Sequence, residues 1–198
     1  MTRLNGEINR SKAVTIRDLG PVDSAGLLDD VLALPDDAWD REEDFEANYN
    51  KRGAISQGSH IIFRFSDRRE IPYRYLELPV WSAWADRLLP VMRRAVAPYG
   101  YANPFFPRVM LARIPAGAFV PPHVDGDAAG HVPHKVHVPL LTNPRAFFFE
   151  EGVRHHLASG RAWEVNNGIP HSVVNGGESD RIHLIFEVLD GDAQRFLD

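Results

Sequence analysis

Residues 168–188 read GIPHSVVNGGESDRIHLIFEV, and this stretch decides the fold class. A short run rich in Val is followed by an Asn-Gly-Gly turn at 175–177 and then by a longer run in which Ile, Leu, Phe and Val recur at every second position. Alternation of this kind, bounded by a glycine-rich turn, predicts β-strands at about 172–174 and 181–188 that are joined as a hairpin. The longer strand has one apolar face, and Arg181, His183 and Ile185 share the other face.

The second half of the chain repeats this pattern of short apolar runs separated by Gly, Pro and Asn. Glu151-Gly152 is typical of a tight hairpin turn. The further predicted strands are Val109–Ile114, Phe119–Val124, Lys135–Leu141, Ala146–Glu150, Val153–Leu157 and Ala162–Val165, with an earlier one at Ile61–Phe65. Many short strands at this spacing predict a mainly β fold, either a barrel or a two-sheet sandwich.

Two amphipathic segments in the first half of the chain predict helices that flank the sheets. Asp23–Leu34 has apolar residues at helical spacing and ends at a proline. Pro79–Tyr99 carries a stripe of Trp, Leu, Met and Ala, and Pro90 within it predicts a kink or a division into two short helices. We expect one domain over residues 1–198, with a helical N-terminal part of about 1–104 and a barrel of about 105–190.

Composition limits the possible functions. The 198 residues carry a net charge of −5 with no run of Lys or Arg, which argues against a nucleic-acid partner. No apolar stretch is long enough to span a bilayer, and the polar N-terminus lacks the apolar core of a secretory signal, so we expect a cytoplasmic protein without a membrane partner. The chain has no Cys. A metal site must therefore use His and carboxylate ligands.

Eight of the nine histidines fall between His123 and His183, so this region is where histidine ligands of a metal are expected. The segment PPHVDG at 121–126 places His123 and Asp125 two residues apart. In extended backbone such residues point to the same side, so both side chains can reach one metal ion. Gly126 then allows the chain to turn away.

A third ligand candidate is His171, at the start of the strand that opens the predicted hairpin. Folding that hairpin brings Arg181 near the strand of His171. Two His and one carboxylate form a facial triad that holds one face of Fe(II) and leaves the other face open. An Arg that points into a barrel needs an anion, so Arg181 is a candidate for binding the carboxylate of a co-substrate.

These motifs resemble the iron(II)/2-oxoglutarate-dependent dioxygenases. The resemblance is to the aspartyl/asparaginyl β-hydroxylase-like branch, which also includes small bacterial proline hydroxylases, and it covers roughly residues 105–188. It rests on the H-x-D pair and on four further segments: Arg113-Ile114-Pro115-Ala116-Gly117, His137-Val138-Pro139-Leu140, His171-Ser172-Val173-Val174-Asn175 and Arg181.

The resemblance implies a fold and a set of site residues. The fold is a double-stranded β-helix, a jelly-roll or cupin-like barrel with flanking N-terminal helices. Fe(II) is held by His123, Asp125 and His171, and 2-oxoglutarate chelates the iron while its far carboxylate pairs with Arg181. Lys135 and His137 match two further positions that help to bind the co-substrate, although the family more often has Arg where Lys135 stands.

The resemblance also implies an activity. The expected reaction uses O2 and 2-oxoglutarate to hydroxylate an unactivated C–H, and it releases succinate and CO2, with ascorbate as the reductant in vitro. The expected substrate is a small molecule: a free amino acid, or a peptide with an aspartyl or asparaginyl-type residue, attacked at the β or C3 carbon. The alternative is a cupin-like protein that binds a metal or a ligand without oxidation, and Arg181 argues against it.

Several other histidines have simpler interpretations than metal binding. His131, His134 and His137 are spaced three apart, which raises the possibility of a second metal site. We expect instead that His131 and His134 lie on a loop and that only His137 enters a strand. His183 shares a face with Arg181, which would allow it to line the site, but we expect it to be a core histidine whose hydrogen bonds are satisfied.

Overall fold

A computed structural model describes residues 13, 15–39, 58–67, 74–125 and 133–191 of the chain. In these ranges the two α-helices are α1 (Ala25–Leu32) and α2 (Val80–Val96). The strands are β1 (Arg17–Pro21), β2 (Ser59–Asp67), β3 (Arg74–Glu77), β4 (Pro104–Phe105), β5 (Val109–Ile114), β6 (Phe119–His123), β7 (His134–Leu141), β8 (Ala146–Glu150), β9 (Val153–His155), β10 (Arg161–Val165), β11 (His171–Asn175) and β12 (Arg181–Asp190).

The strands form two sheets. The larger sheet has the order β1-β10-β7-β12-β5-β2-β3, with β4 also paired to β12, and the smaller sheet has the order β6-β11-β8-β9. Every pairing is antiparallel. Ile114 and Val165 of the larger sheet belong to one apolar cluster with Val120, Phe148 and Val173 of the smaller sheet, so the inner faces of the two sheets pack together. The mainly β, jelly-roll prediction is confirmed.

The helices cover the outer face of the larger sheet, as predicted. The apolar face of β12 packs there, in one core cluster with the buried face of α2. The members of this cluster from the two elements are Ile182, Leu184, Phe186, Val188, Trp81, Leu88, Val91, Met92, Ala95 and Val96. This packing leaves the opposite face of β12 directed between the two sheets, because side chains alternate along a strand.

The predicted hairpin between β11 and β12 is wrong. The two strands belong to different sheets: β11 pairs with β6 and β8, whereas β12 pairs with β5 and β7. Each strand therefore already has a neighbour on both sides, and the glycine-rich connection crosses from one sheet to the other. The side chain of Asn175 fixes this crossing, because its Nδ2 donates to the carbonyl oxygens of Ile114, Pro115 and Ser179 at 2.9, 3.0 and 2.9 Å.

The N-terminal part contributes more to the sheet than its sequence indicates. β1 pairs with β10, and β2 pairs with β5, so no boundary in the larger sheet falls near residue 104. Helix α2 is also not divided at Pro90, which lies on its exposed face, where water can hydrogen-bond the carbonyl freed by the missing N–H. Within the described ranges, neither helix is long and apolar enough to cross a membrane.

Candidate metal centre

The structure brings His123, Asp125 and His171 together at one end of the smaller sheet. Asp125 Oδ1 lies 3.6 Å from His123 Nε2 and 3.7 Å from His171 Nε2. The three ligand atoms all lie within 4.8 Å of one another. Neighbouring ligands of one ion are roughly 3 Å apart when each bond is roughly 2 Å long. A single cation can therefore contact all three after small side-chain movements.

Two backbone carbonyls orient the imidazoles. Nδ1–H of His123 donates to the carbonyl oxygen of Pro121 at 2.8 Å, and Nδ1–H of His171 donates to that of Ile169 at 2.9 Å. A carbonyl oxygen only accepts hydrogen bonds, so each ring is protonated at Nδ1 and keeps the Nε2 lone pair for a metal. Sequence reasoning missed these groups. The available signal was the proline directly before each histidine, which restricts the carbonyl-bearing residue to extended backbone.

Burial and neighbouring charges shift the pKa values of the three side chains in different directions. Burial alone would raise the pKa of Asp125, but the positive charge of Lys135 and the nearby imidazole of His123 hold that pKa well below its usual value. Burial lowers the pKa of His171 to about 4. Burial acts in the same direction on His123, but the neighbouring carboxylate of Asp125 and the hydrogen bond to the Pro121 carbonyl outweigh it and raise the pKa of His123.

The group is accessible from one side. His171 is buried, whereas the side chains of His123 and Asp125 remain 25% and 21% exposed. Lys135 Nζ contacts Asp125 Oδ2 in an ion pair. That contact occupies the second carboxylate oxygen and leaves Oδ1 facing the two imidazoles, so the arrangement suits an ion that binds one carboxylate oxygen and keeps open positions for exogenous ligands.

The loop before His171 also supports the carboxylate ligand. The backbone N–H of Asp125 donates to the carbonyl oxygen of Asn167 at 3.1 Å. The buried carboxylate of Glu150 accepts from the backbone N–H of Asn166 at 2.9 Å, and burial raises the pKa of Glu150. Residues 166–170 therefore hold both Asp125 and His171, which lie on opposite sides of this loop in sequence.

A buried polar cluster of His137, Arg181 and His183 lies between the sheets, next to the candidate metal ligands. Phe148 stacks on His171, with ring centroids 5.5 Å apart, and its edge faces His137 at 5.6 Å. His137 also lies 5.6 Å from His183, which accepts a hydrogen bond from Arg181 at 3.1 Å. Arg181 is thus on the sheet that faces His171 rather than beside it on a hairpin, but it still reaches the space behind the triad.

Several nitrogens of this polar cluster have no acceptor among the described residues. Arg181 is 3% exposed, burial lowers its pKa to about 9, and none of the ion pairs found among the described residues involves it. Among the described residues, neither ring nitrogen of His137 has a hydrogen-bond partner, and Nε2 of His183 has none either. The expectation that His183 is a satisfied core histidine is therefore wrong, because only one of its two nitrogens is paired.

The expectation that His134 lies on a loop is wrong. It is the first residue of β7 and fully buried, and its ring binds Glu164 Oε1 at 2.6 Å and the hydroxyl of Tyr101 at 2.9 Å. It faces away from His137, because the two are an odd number of positions apart in one strand. His131 lies outside the described residues. In the part of the chain that the structure describes, the triad is the one group of three such side chains that could hold an ion together.

Comparisons with known proteins agree with this geometry. A family model described as aspartyl/asparaginyl beta-hydroxylase matches residues 77–190, which include the three candidate ligands, Lys135, His137 and Arg181. No curated protein matches the sequence.

Three solved structures share the fold at low sequence identity. A 2OG-Fe(II) oxygenase family oxidoreductase from Burkholderia pseudomallei is 16% identical with a TM-score of 0.59, over 93% of this chain and 89% of that one. The viral collagen prolyl hydroxylase of Paramecium Bursaria Chlorella virus-1 is 12% identical with a TM-score of 0.53, over 88% and 95%. A Pseudomonas putida prolyl-4-hydroxylase is 13% identical with a TM-score of 0.50, over 93% and 97%.

Proposed function

Because the chain belongs to the aspartyl/asparaginyl β-hydroxylase family, we propose that it hydroxylates the β or C3 carbon of a free amino acid or of an aspartyl or asparaginyl-type residue in a short peptide. The chain is a 2-oxoglutarate-dependent non-haem iron dioxygenase. In the proposed reaction, O2 and 2-oxoglutarate are consumed, one oxygen atom enters the substrate as a hydroxyl group and the other enters succinate, and CO2 is released.

The residues present fit Fe(II) and 2-oxoglutarate. Two neutral imidazole nitrogens and one carboxylate oxygen converge, which is the donor set that non-haem iron oxygenases use. Arg181 supports the assignment of the co-substrate most strongly. A buried guanidinium without an anion costs several kcal/mol, and a dicarboxylate whose far end reaches Arg181 would remove that cost.

Each residue then has a proposed role. His123, Asp125 and His171 bind Fe(II), and bound iron with its co-substrate supplies the oxidising power for C–H hydroxylation. Arg181 binds the far carboxylate of 2-oxoglutarate. His137 belongs to the same polar cluster, no described group accepts from its ring N–H, and it is proposed to donate to the co-substrate.

Lys135 has a more limited proposed role. Its ammonium group contacts Asp125, so it holds the carboxylate ligand and places a positive charge at the edge of the metal face. That charge would attract the carboxylate end of the co-substrate that binds iron. A Lys at this position offers a single ammonium group rather than the planar two-pronged contact of an Arg.

The substrate proposal rests on the family and on charge. Net charge is −5 and no basic run follows a phosphate backbone, which favours a small polar substrate over nucleic acid. We therefore propose an amino acid or a short peptide as the partner in solution, and a cytoplasmic location. A cupin-like protein that needs no dicarboxylate would have little reason to bury Arg181 without an anion.

The test is succinate formation from 2-oxoglutarate by the purified protein with Fe(II) and ascorbate, against free amino acids and short peptides that contain Asp or Asn. We expect one substrate to stimulate succinate formation and to gain a hydroxyl group by mass spectrometry. The Arg181→Ala variant should keep its metal affinity but lose saturation by 2-oxoglutarate. Wild-type protein that binds neither Fe(II) nor 2-oxoglutarate would contradict the proposal.

A further inference from the structure

His183 has a defined protonation state in the polar cluster of His137, Arg181 and His183. Its Nδ1 lies 3.1 Å from NH2 of Arg181, and a guanidinium can only donate hydrogen bonds. Nδ1 must therefore carry a lone pair. A neutral imidazole has one proton, so this proton is on Nε2, and burial together with the charge of Arg181 keeps the pKa of His183 well below its usual value.

This assignment leaves Nε2–H of His183 as a donor without an acceptor in the part of the chain that the structure describes. The side chain is completely buried, and no described group accepts from Nε2. A buried N–H without a partner costs about 1–3 kcal/mol. A histidine held here at that cost therefore requires a reason.

The position of the ring gives that reason. Along β12 the side chain of His183 points to the same side as that of Arg181, and across the sheet its partner on β5 is Ala112. The small alanine leaves room for the imidazole beside the guanidinium. His137, on the neighbouring strand β7, approaches from the other side.

The three side chains together offer more donors than one Arg can use. The guanidinium has further N–H groups, His183 has Nε2–H and His137 has one N–H, and none of these donors has an acceptor anion among the described residues. Two carboxylate oxygens provide about four lone-pair directions. A carboxylate is therefore the ligand group that satisfies this set best.

We propose that His183 determines specificity for the distal carboxylate of a dicarboxylate co-substrate: its Nδ1 holds Arg181 in place and its Nε2–H donates to a carboxylate oxygen. This inference rests on the proposed function. It assigns His183 a direct contact with the co-substrate in addition to the contact that Arg181 makes.

The test compares two keto acids that differ at the distal end alone. 2-Oxopentanoate has the carbon chain of 2-oxoglutarate with a methyl group in place of the distal carboxylate. Binding of each to Mn(II)-loaded protein is measured by isothermal titration calorimetry, without turnover, for the wild type, His183→Phe and His183→Gln. Because the lost hydrogen bond is to a charged group, His183→Phe should lower the affinity for 2-oxoglutarate by about 10- to 100-fold.

The same substitution should change the affinity for 2-oxopentanoate less than about threefold, because that ligand has no distal carboxylate. His183→Gln can accept from Arg181 and still donate, so it should retain most of the affinity. His134→Phe is a matched control, since His134 is as buried as His183 but hydrogen-bonds Glu164 and Tyr101, away from the polar cluster. It should leave the affinities for both keto acids unchanged.

The outcomes separate the inference from the proposed function. If His183→Phe lowered the affinities for both keto acids equally, or lowered neither, the proposed role of His183 would be overturned. If the wild type failed to bind 2-oxoglutarate, the proposed function itself would fail. If Arg181→Ala lost 2-oxoglutarate while His183→Phe kept it, the proposed function would stand and the inference about His183 would not.

A spectroscopic measurement checks the same contact without any change to the protein. Histidine side-chain 15N NMR on the Mg(II) form should show His183 protonated at Nε2 and not at Nδ1. Addition of 2-oxoglutarate should shift the Nε2–H resonance, and addition of 2-oxopentanoate should leave it in place. A ring protonated at Nδ1, or the same shift with both ligands, would contradict the proposal.

Discussion

His171 and His123 are direct cross-strand partners between β11 and β6, and their ring centroids are 4.2 Å apart. One strand pair therefore fixes the spacing of both imidazoles. β11 also pairs with β8, where Glu150 lies opposite His171 on the other side. His171 is thus the central residue of the site, held by a strand on either side, and the more exposed His123 and Asp125 lie at its edge.

This arrangement predicts that loss of His171 removes the metal site without unfolding the sheet. His171→Ala should weaken Co(II) or Fe(II) binding by more than about 100-fold, since even changes to groups behind the ligands cost 10- to 100-fold. Anaerobic titration calorimetry measures the affinity, and thermal unfolding reports the fold. His155→Ala in the same sheet is the control and should bind metal like the wild type. Unchanged affinity in His171→Ala would remove this residue from the ligand set.

Lys135 should act through the carboxylate ligand that it contacts. Lys135→Met keeps most of the side-chain volume but removes the charge from Asp125, so the metal affinity should fall by about 10- to 100-fold. Lys135→Arg keeps the charge and should retain the affinity within about tenfold. Titration calorimetry of Mn(II) for the three proteins gives this comparison. If Lys135→Met bound metal like the wild type but lost 2-oxoglutarate, Lys135 would serve the co-substrate and not Asp125.

The sequence predicted those parts of the fold and site that depend on local periodicity. Alternation along 181–188 correctly separated the apolar face of β12 from the face with Arg181 and His183. The H-x-D spacing correctly placed His123 and Asp125 on one side. Both conclusions need only the two-residue repeat of a strand, which the sequence carries directly.

Features that depend on distant parts of the chain were not predictable. The connection after Asn175 has the composition of a hairpin, but Asn175 binds Ile114 and Ser179, so the chain crosses between sheets instead. The sequence neighbours of His134 are typical of a loop, but the structure places its side chain in the interior, where it hydrogen-bonds Glu164, thirty positions away. Tertiary partners of this kind leave no periodic signal in sequence.

Asn175 should be essential for the crossing between the sheets. Its Nδ2 points at three carbonyl oxygens, so Asn175→Asp would place carboxylate oxygens against them and leave the charge without a donor on that side. We expect the free energy of unfolding to fall by about 3–5 kcal/mol, as for an uncompensated buried charge. Urea denaturation at pH 7 measures this change. Asn166→Asp, on a partly exposed loop, is the control and should cost far less.

The network of Glu164 should make stability dependent on pH. Burial alone would raise the pKa of Glu164, but its hydrogen bond and charge interaction with His134, together with Arg17, lower that pKa overall. Since the pKa is lower in the folded state, ionised Glu164 stabilises the protein above the unfolded value of about 4.3. This contribution is lost as the pH falls through the lower folded value.

The prediction is therefore that Glu164→Gln destabilises the protein most at neutral pH. The difference in the free energy of unfolding from the wild type should be about 1–3 kcal/mol at pH 7, because His134 and Arg17 lose their charged acceptor. This difference should shrink steadily as the pH falls below about 4.3. There Glu164 is protonated in the unfolded chain, so folding must release a proton, and this cost offsets the stabilisation by the ionised carboxylate. Urea unfolding between pH 3 and 7 measures it, with the exposed Glu178→Gln as control. If the difference in the free energy of unfolding stayed constant over this pH range, the hydrogen bonds of the Glu164 side chain, and not its charge, would stabilise the network.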